Sequence, residues 1–203
     1  MPKGGRRGVK RAERVAKEAG FVIKDETGMD RATFDEVYRV LEETSERDGF
    51  TPHSADVYWT MLTTLGEQAR MYVARRDGRP VAWVLVTVNG ISSVAYYGAS
   101  TTADRATRAA EATNWYAACD LAAKGYKGYD FMGAGSTRVP ELYSVGMYKK
   151  RFAQHPTEVD GAWDVPVQRP VFEALVAAKK AKHLVREATV VAAKASEAIK
   201  RST

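Results

Sequence analysis

The chain has almost no cysteine: Cys119 stands alone among 203 residues. That excludes an internal disulfide framework. Cys119 falls in an alanine-rich stretch, Trp115 to Ala123, with no catalytic partner motif beside it. A small buried hydrophobe is expected there rather than a nucleophile. Histidine is scarce as well. His53, His155 and His183 are far apart, and their spacing supports neither a metal site nor a Ser-His-Asp arrangement. The sequence has no Walker loop and no dinucleotide-binding glycine fingerprint, which removes two common nucleotide-binding classes. No apolar run approaches the ~18 residues of a membrane span. The basic N-terminus has no apolar stretch behind it and does not read as a signal peptide. The cytoplasm is therefore the expected location. No internal repeat is visible.

What the sequence does have is unevenly placed charge. The net charge is +6. Residues 1–20 carry seven Lys and Arg against two Glu, a net of +5. Residues 169–203 carry eight against three, again +5, while residues 21–168 carry 16 against 20, a net of −4. Three parts are expected: a basic N-terminal helix (1–20), a globular domain (21–168) and a basic C-terminal helix (169–203). Basic tails favour polyanions, nucleic acid above all; they fit two solvated surface helices equally well. The apolar fraction of 45% is that of an ordinary globular protein.

Periodicity places the elements. Lys3 to Gly20 reads as a helix with Val9, Ala12, Val15, Ala16 and Ala19 on one stripe. Phe21 to Lys24 is a short strand. Asp30 caps a helix from Arg31 to Arg47, whose buried face holds Phe34, Val37, Tyr38 and Leu41. Ser54 to Leu65 is a second helix. A β meander follows, with strands from Ala69 to Arg75, Pro80 to Val88 and Ile91 to Tyr97, turning at Asp77-Gly78 and Asn89-Gly90. The second of these strands has few polar residues and should be central. Thr102 to Lys124 reads as a long helix, Tyr126 to Met132 as a strand and Leu142 to Phe152 as a helix. A strand from Glu158 to Val165 and a helix from Arg169 to Arg201 close the chain.

This order resembles the Gcn5-related N-acetyltransferase fold, a mixed α/β (α+β) architecture with a splayed sheet. Such a fold holds the pyrophosphate of coenzyme A on backbone amides at the start of its long central helix, where glycines let phosphate approach. At that place the chain reads Arg105-Ala106-Thr107-Arg108-Ala109-Ala110. Arg108 replaces a glycine and Asp104 adds a negative charge. This argues against coenzyme A, and no cofactor is expected.

Several motifs occur in a shared order: Lys3-Gly4-Gly5-Arg6-Arg7-Gly8, Arg47-Asp48-Gly49-Phe50, Tyr96-Tyr97-Gly98-Ala99-Ser100, Asn114-Trp115, Tyr129-Asp130-Phe131 with Gly133, and Asp160-Gly161-Ala162-Trp163. In this register the chain resembles the second acetyltransferase-like domain of the Fem-type aminoacyltransferases. That family uses aminoacyl-tRNA to form peptide bonds outside the ribosome. Its usual Phe-Lys-x-Gly-Phe becomes Tyr148-Lys149-Lys150-Arg151-Phe152 here. Family members usually carry two such domains, and this chain begins at the second. A stand-alone form is expected, similar to the alanyl transferases of peptidyl-nucleoside antibiotic assembly of the pacidamycin kind. The resemblance then implies transfer of an amino acid, alanine, from aminoacyl-tRNA to the amine of a small peptide or peptidyl-nucleoside acceptor, free or bound to a carrier protein. Two alternatives are an acyl-CoA-dependent N-acyltransferase and a non-catalytic tRNA-binding module.

An aminoacyl ester is already activated, so the protein must align the reactants and stabilise the oxyanion. Lys149 matches the family's lysine with that role, and is otherwise a surface lysine on a helix. Arg47 is a candidate substrate clamp, or a turn arginine paired with Asp48 or Glu43. Tyr96 and Tyr97 are expected on opposite faces of a strand, one in the core and one lining the acceptor pocket. Phe131 is a third substrate-binding candidate. Asp130, among aromatics, should have an ion-pair partner or act as a general base. Arg6, Arg7, Lys10, Arg11, Lys150 and Arg151 are candidates for tRNA phosphate contacts. The terminal helix offers Lys179, Lys180, Lys182 and Arg186 for the same purpose, or Leu175, Val176, Leu184 and Val185 for packing.

Overall fold

A five-stranded sheet organises the chain in the order β1 (Val22–Asp25), β2 (Ala69–Arg76), β3 (Arg79–Asn89), β4 (Ser92–Ser100) and β5 (Gly128–Asp130). The computed structural model describes residues 3–135, 139–153, 155–158 and 164–182. Residues 1–157 form one compact unit and residues 158–203 another. The first four strands pair antiparallel, and β5 joins β4 in parallel. Asp77 (φ 51°) and Gly78 (φ 79°) make the expected tight turn between β2 and β3. Central β3 is buried on both faces from Val81 to Val86, which explains its lack of polar residues.

Helices cover both faces. Helix α2 (Arg31–Asp48) is capped by Asp30, whose Oδ1 accepts the Thr33 N–H at 2.8 Å, and ends at left-handed Gly49. With α3 (Ala55–Leu65) it packs Phe34, Val37, Leu41, Tyr58 and Leu62 against Met71, Val73, Trp83 and Leu85. The opposite faces of β2 and β3 present Ala74 and Ala82 to α1 (Lys3–Glu18) and Tyr72, Val84 and Val86 to α4 (Ala109–Ala123). Buried Gly5, Val9, Ala12 and Ala16 recur at helical spacing on α1. The small residues let it approach α4.

Several elements differ from expectation. The long helix begins at Ala109, seven residues later than read. Before it lies a 3₁₀ segment, Arg105–Thr107, and then Arg108 at φ 61°, which breaks the helical path. The expected helix from Leu142 is split into a 3₁₀ segment, Pro140–Leu142, and α5 (Tyr143–Lys149). Cys119 is exposed, with a thiol pKa raised by partial burial and by Glu13; it lies on the solvent side of α4 rather than inside. The strand read over 158–165 falls largely outside the described residues, including Asp160 to Trp163, and the described Glu158, Asp164 and Val165 are not in a strand. In the second unit residues 169–182 are helical; the rest of the helix read to residue 201, with Leu184, Val185 and Arg186, lies outside the described residues. No helix among the described residues is long and apolar enough to cross a membrane.

Candidate active site

Strands β4 and β5 pair only at Ser92–Gly128, Ser93–Tyr129 and Val94–Asp130. Beyond Val94 they part, and β4 runs on to Ser100 with no strand paired on that side among the described residues. A cleft of about 290 Å³ occupies the gap. Tyr96, Tyr97 and Gly98 form its β4 wall, Ala110 and Asn114 its α4 wall, and Phe131, Tyr148 and Lys149 close it. Five of the residues read from sequence thus converge: Arg47, Tyr96, Tyr97, Phe131 and Lys149. Asp130 is not among the lining residues.

Tyr96 and Tyr97 do not alternate across the sheet. The β3–β4 register shifts here: Leu85 pairs Tyr97 and Val86 pairs Ala95, which leaves Tyr96 as an extra, bulged residue. A bulge cancels the period-two rule, so both rings line the cleft, 4.8 Å apart and edge to face. Tyr97 also packs on Tyr58 at 4.7 Å. Its hydroxyl pKa is raised by burial.

Lys149 is held by glycines. A Cβ on Gly146 would meet the Gly135 nitrogen at 2.9 Å, and one on Gly135 would meet the Tyr143 nitrogen at 2.5 Å. Only bare backbone lets α5 sit this close to the 133–135 loop. The seat directs the Lys149 ammonium to donate to the Gly133 carbonyl at 2.6 Å. Desolvation holds its pKa below the usual lysine value, against a smaller upward influence of Asp130. Asp130 itself accepts the Met132 N–H at 2.7 Å. It caps a turn instead of pairing with a cation or facing the cleft.

Arg47 is engaged at all three nitrogens: Nε and Nη2 grip both Asp48 oxygens at 2.9 Å, and Nη1 donates to the Ser100 carbonyl at 2.8 Å. Thr44 shares that carbonyl at 3.0 Å. Arg47 therefore fixes the end of β4 at the cleft rim, and its pKa is raised chiefly by Asp48.

Thr44, Trp83, Asn114 and Tyr148 are among the lining residues that sequence reasoning did not assign to the site. The Trp83 side chain is buried, and its indole N–H has no hydrogen-bond partner among the described residues. Asn114 Nδ2 donates to Tyr148 Oη and to the Ala110 carbonyl, both at 3.0 Å, while its Oδ1 accepts from Tyr129 Oη at 3.0 Å. Burial raises the pKa of both tyrosines well above normal, so they stay protonated. A polar residue amid the apolar positions of α4 was the available signal for Asn114. Phe131 stacks on Phe152 at 4.5 Å and seals the lower end. Of the basic candidates, Arg6, Arg7, Lys10, Arg11, Lys150 and Arg151 are exposed, and Arg11 and Arg151 line a second cavity. Lys179, Lys180 and Lys182 are exposed on the helix of the second unit. Among the described residues no group of His, Cys, Asp and Glu could hold a metal ion.

The family model described as an acetyltransferase (GNAT) domain matches residues 3–150. The chain belongs to this GNAT family. The GNAT domain is an acyltransferase architecture. Among solved structures it is similar to FemX, with a TM-score of 0.63, 15% identity, and coverage of 71% of this chain and 53% of FemX. An aminoglycoside acetyltransferase from an uncultured soil metagenomic sample, in complex with sisomicin, gives a TM-score of 0.56 at 14% identity, covering 73% of this chain and 98% of that one. The C-terminal domain of a protein described as a lysylphosphatidylglycerol synthetase, from Agrobacterium fabrum, gives 0.56 at 14%, covering 73% and 51%. These likenesses concern the fold. The chain spans about half the length of FemX. No curated protein matches it.

Proposed function

We propose that this GNAT domain is a tRNA-dependent aminoacyltransferase. It takes an amino acid, alanine by the resemblance drawn above, from aminoacyl-tRNA. It delivers it to the amine of a small peptide or peptidyl-nucleoside acceptor in antibiotic assembly. The observation that carries this reading is Lys149: a partly desolvated ammonium, fixed by Gly133 at the mouth of an aromatic cleft.

The neutral acceptor amine attacks the ester carbonyl. The carbonyl π pair moves to oxygen, and the oxyanion is stabilised by the Lys149 ammonium. Collapse re-forms the carbonyl, breaks the bond to the ribose oxygen and leaves an amide. The proton lost by the amine ends on the departing hydroxyl. No covalent enzyme intermediate is required. The edge of β4 beyond Val94, unpaired among the described residues, offers backbone groups to an extended peptidyl chain. Trp83 has a spare donor in the same lining.

The start of α4 also supports an aminoacyl donor over coenzyme A. Buried Glu111 lies in its first turn, 2% exposed and gripped by Arg108. The carboxylate answers the helix N-terminus itself, which disfavours a pyrophosphate seated on the backbone amides of α4 but leaves the surrounding arginine side chains able to hold a phosphate away from them. The family match favours the second reading, an acyl-CoA donor.

The test is incubation with a mixture of radiolabelled aminoacyl-tRNAs and a small peptide amine, comparing wild type with Lys149→Ala. Lysine-dependent loss of one amino acid's label, with an amide product, is expected. Absence of transfer from every aminoacyl-tRNA, alongside transfer from acetyl-CoA, would replace this reading with the second.

A further inference from the structure

We propose that a second cavity, lined by arginines, binds phosphodiester groups at the single-stranded 3′ end of an RNA. The inference rests on the aminoacyl-tRNA reading above and says where that donor's backbone is held. The cavity measures about 600 Å³. Its walls are Gly4, Gly5 and Gly8 of α1 and four arginines: Arg11 of α1, Arg105 and Arg108 before α4, and Arg151 after α5.

Charge decides what it holds. Glu111 takes Arg108 at 2.7 and 2.8 Å and Arg151 at 3.1 Å. Among the described residues Arg11 and Arg105 make no ion pair, since the pairs formed around the cavity are those of Glu111. Asp48 feels Arg105, but both its oxygens are held by Arg47. Four guanidinium groups against one carboxylate leave three positive charges facing a common space. Such a cluster repels itself until an anion enters. Arginine rather than lysine fits phosphate, because its planar fork donates two parallel hydrogen bonds. Glu111 pre-orders two of the four forks.

The glycines point the same way. Each costs an α-helix about 1 kcal/mol relative to alanine, yet three stand in the first six residues of α1 and all three line the cavity. A Cβ on Gly4 would meet nothing within 4 Å, and one on Gly8 would lie 3.5 Å from Arg108 Nη2. Larger side chains on this face would fill the cavity; bare backbone keeps it open. The unpaired N–H groups at the start of α1 add partial positive charge.

The cavity also lies in the right place. Arg108 stands two residues before Ala110, and Arg151 three after Tyr148; Ala110 and Tyr148 line the cleft that contains Lys149. The two cavities are thus flanked by adjoining stretches of chain at the start of α4 and the end of α5. A phosphate gripped by the arginines directs the terminal ribose and its ester towards the cleft. Phosphate contacts fix register without reading bases.

The experiment uses an RNA hairpin with a short single-stranded 3′ tail and no amino acid, titrated by fluorescence anisotropy over a range of salt. The Arg11→Gln/Arg105→Gln double variant removes two arginines that hold no ion pair, so the fold should survive, as a melting curve will verify. Affinity for the tailed hairpin is expected to fall by at least tenfold, and the slope of log K against log salt to shrink by about 2, roughly 1 for each phosphate no longer gripped. Gly4→Leu keeps every charge, favours the helix and fills the cavity; it is expected to weaken the tailed hairpin and leave a blunt hairpin unaffected. Wild-type affinity and slope in both variants would overturn the inference. So would coenzyme A displacing the hairpin and losing its own binding in the same variants, because the cavity would then serve a nucleotide cofactor. Should both variants bind like wild type while Lys149-dependent aminoacyl transfer persists, this inference fails and the functional reading stands. Should the variants lose hairpin binding while wild type transfers from no aminoacyl-tRNA, the RNA site stands and the functional reading fails.

Discussion

Lys149 meets two opposing influences: partial burial lowers its pKa, and Asp130 raises it by a smaller amount. The balance leaves an ammonium that releases its proton below the usual ~10.4. If that ammonium stabilises the oxyanion, activity is present below its pKa and is lost as pH rises through it. The acceptor amine must be neutral, which sets the acid limb. A bell-shaped profile of kcat/KM is therefore expected, with an alkaline limb below pH ~10.4 that Lys149→Arg moves upward. Lys149→Ala should cost about 10²–10³-fold in kcat, the loss seen when one oxyanion donor is removed, with the melting temperature little changed. An unchanged rate would mean that the residue is a surface lysine. Tyr148→Phe removes the hydroxyl that takes the Asn114 amide hydrogen and leaves a buried donor short of one partner, at a cost of about 1–3 kcal/mol in thermal or urea unfolding. Lys149, Phe131 and the tyrosine pair, singled out in the sequence largely through the family resemblance, all line the cleft. The sequence did not reveal Thr44 or Trp83, whose part depends on where α2 and β3 meet the end of β4. Nor did it show that Tyr96 and Tyr97 share one cleft, because a bulge is a property of the β3–β4 pair rather than of β4 alone.

Strands and helices with strong periodicity were legible: α2, α3, β2 and β3 occupy the stretches their patterns predict to within a residue at each end, while β4 runs three residues beyond Tyr97 to Ser100. The start of α4 was not. Thr102 to Arg108 has no Gly or Pro to punctuate it, yet it is tied to other elements: the Thr102 N–H goes to Glu43 at 2.6 Å, and Asp104 pairs with Arg76 at 2.8 Å. Those tertiary bonds override local helix propensity. The seat of α5 depends on Gly135 and Gly146, a role set by the approach of two backbones that sequence spacing does not show. Gly135→Ala would place a Cβ 2.5 Å from the Tyr143 backbone, so α5 must shift. Activity is expected to fall at least tenfold with a smaller loss of stability, because Lys149 moves with the helix. Retention of wild-type kcat in Gly135→Ala would show that the position of α5 does not matter to the reaction.

At the scale of the whole molecule, the core lies on both faces of β3. The cleft lies where β4 and β5 part, and it shares Trp83, Val84 and Ala99 with the core. Leu85 is completely buried between α2, α3 and the sheet. Leu85→Ala is expected to lose about 2–5 kcal/mol in urea unfolding, while Val22→Ala on exposed β1 should lose less than about 0.5 kcal/mol. The order of the elements was enough to suggest the GNAT architecture before the sheet was seen, because helix–meander–helix–strand leaves few ways to cover both faces. The arginine cluster at the start of α4 was less legible: Arg108 and Arg151 meet on Glu111 across 40 residues of chain. The most direct test gives the purified protein one peptide amine and two donors in parallel, alanyl-tRNA and acetyl-CoA, and quantifies amide product by mass spectrometry for wild type and Lys149→Ala. Wild type is expected to form an alanyl amide and no acetyl amide, and the variant at least a hundredfold less of the alanyl product. Acetyl transfer without alanyl transfer would contradict the aminoacyl-tRNA reading.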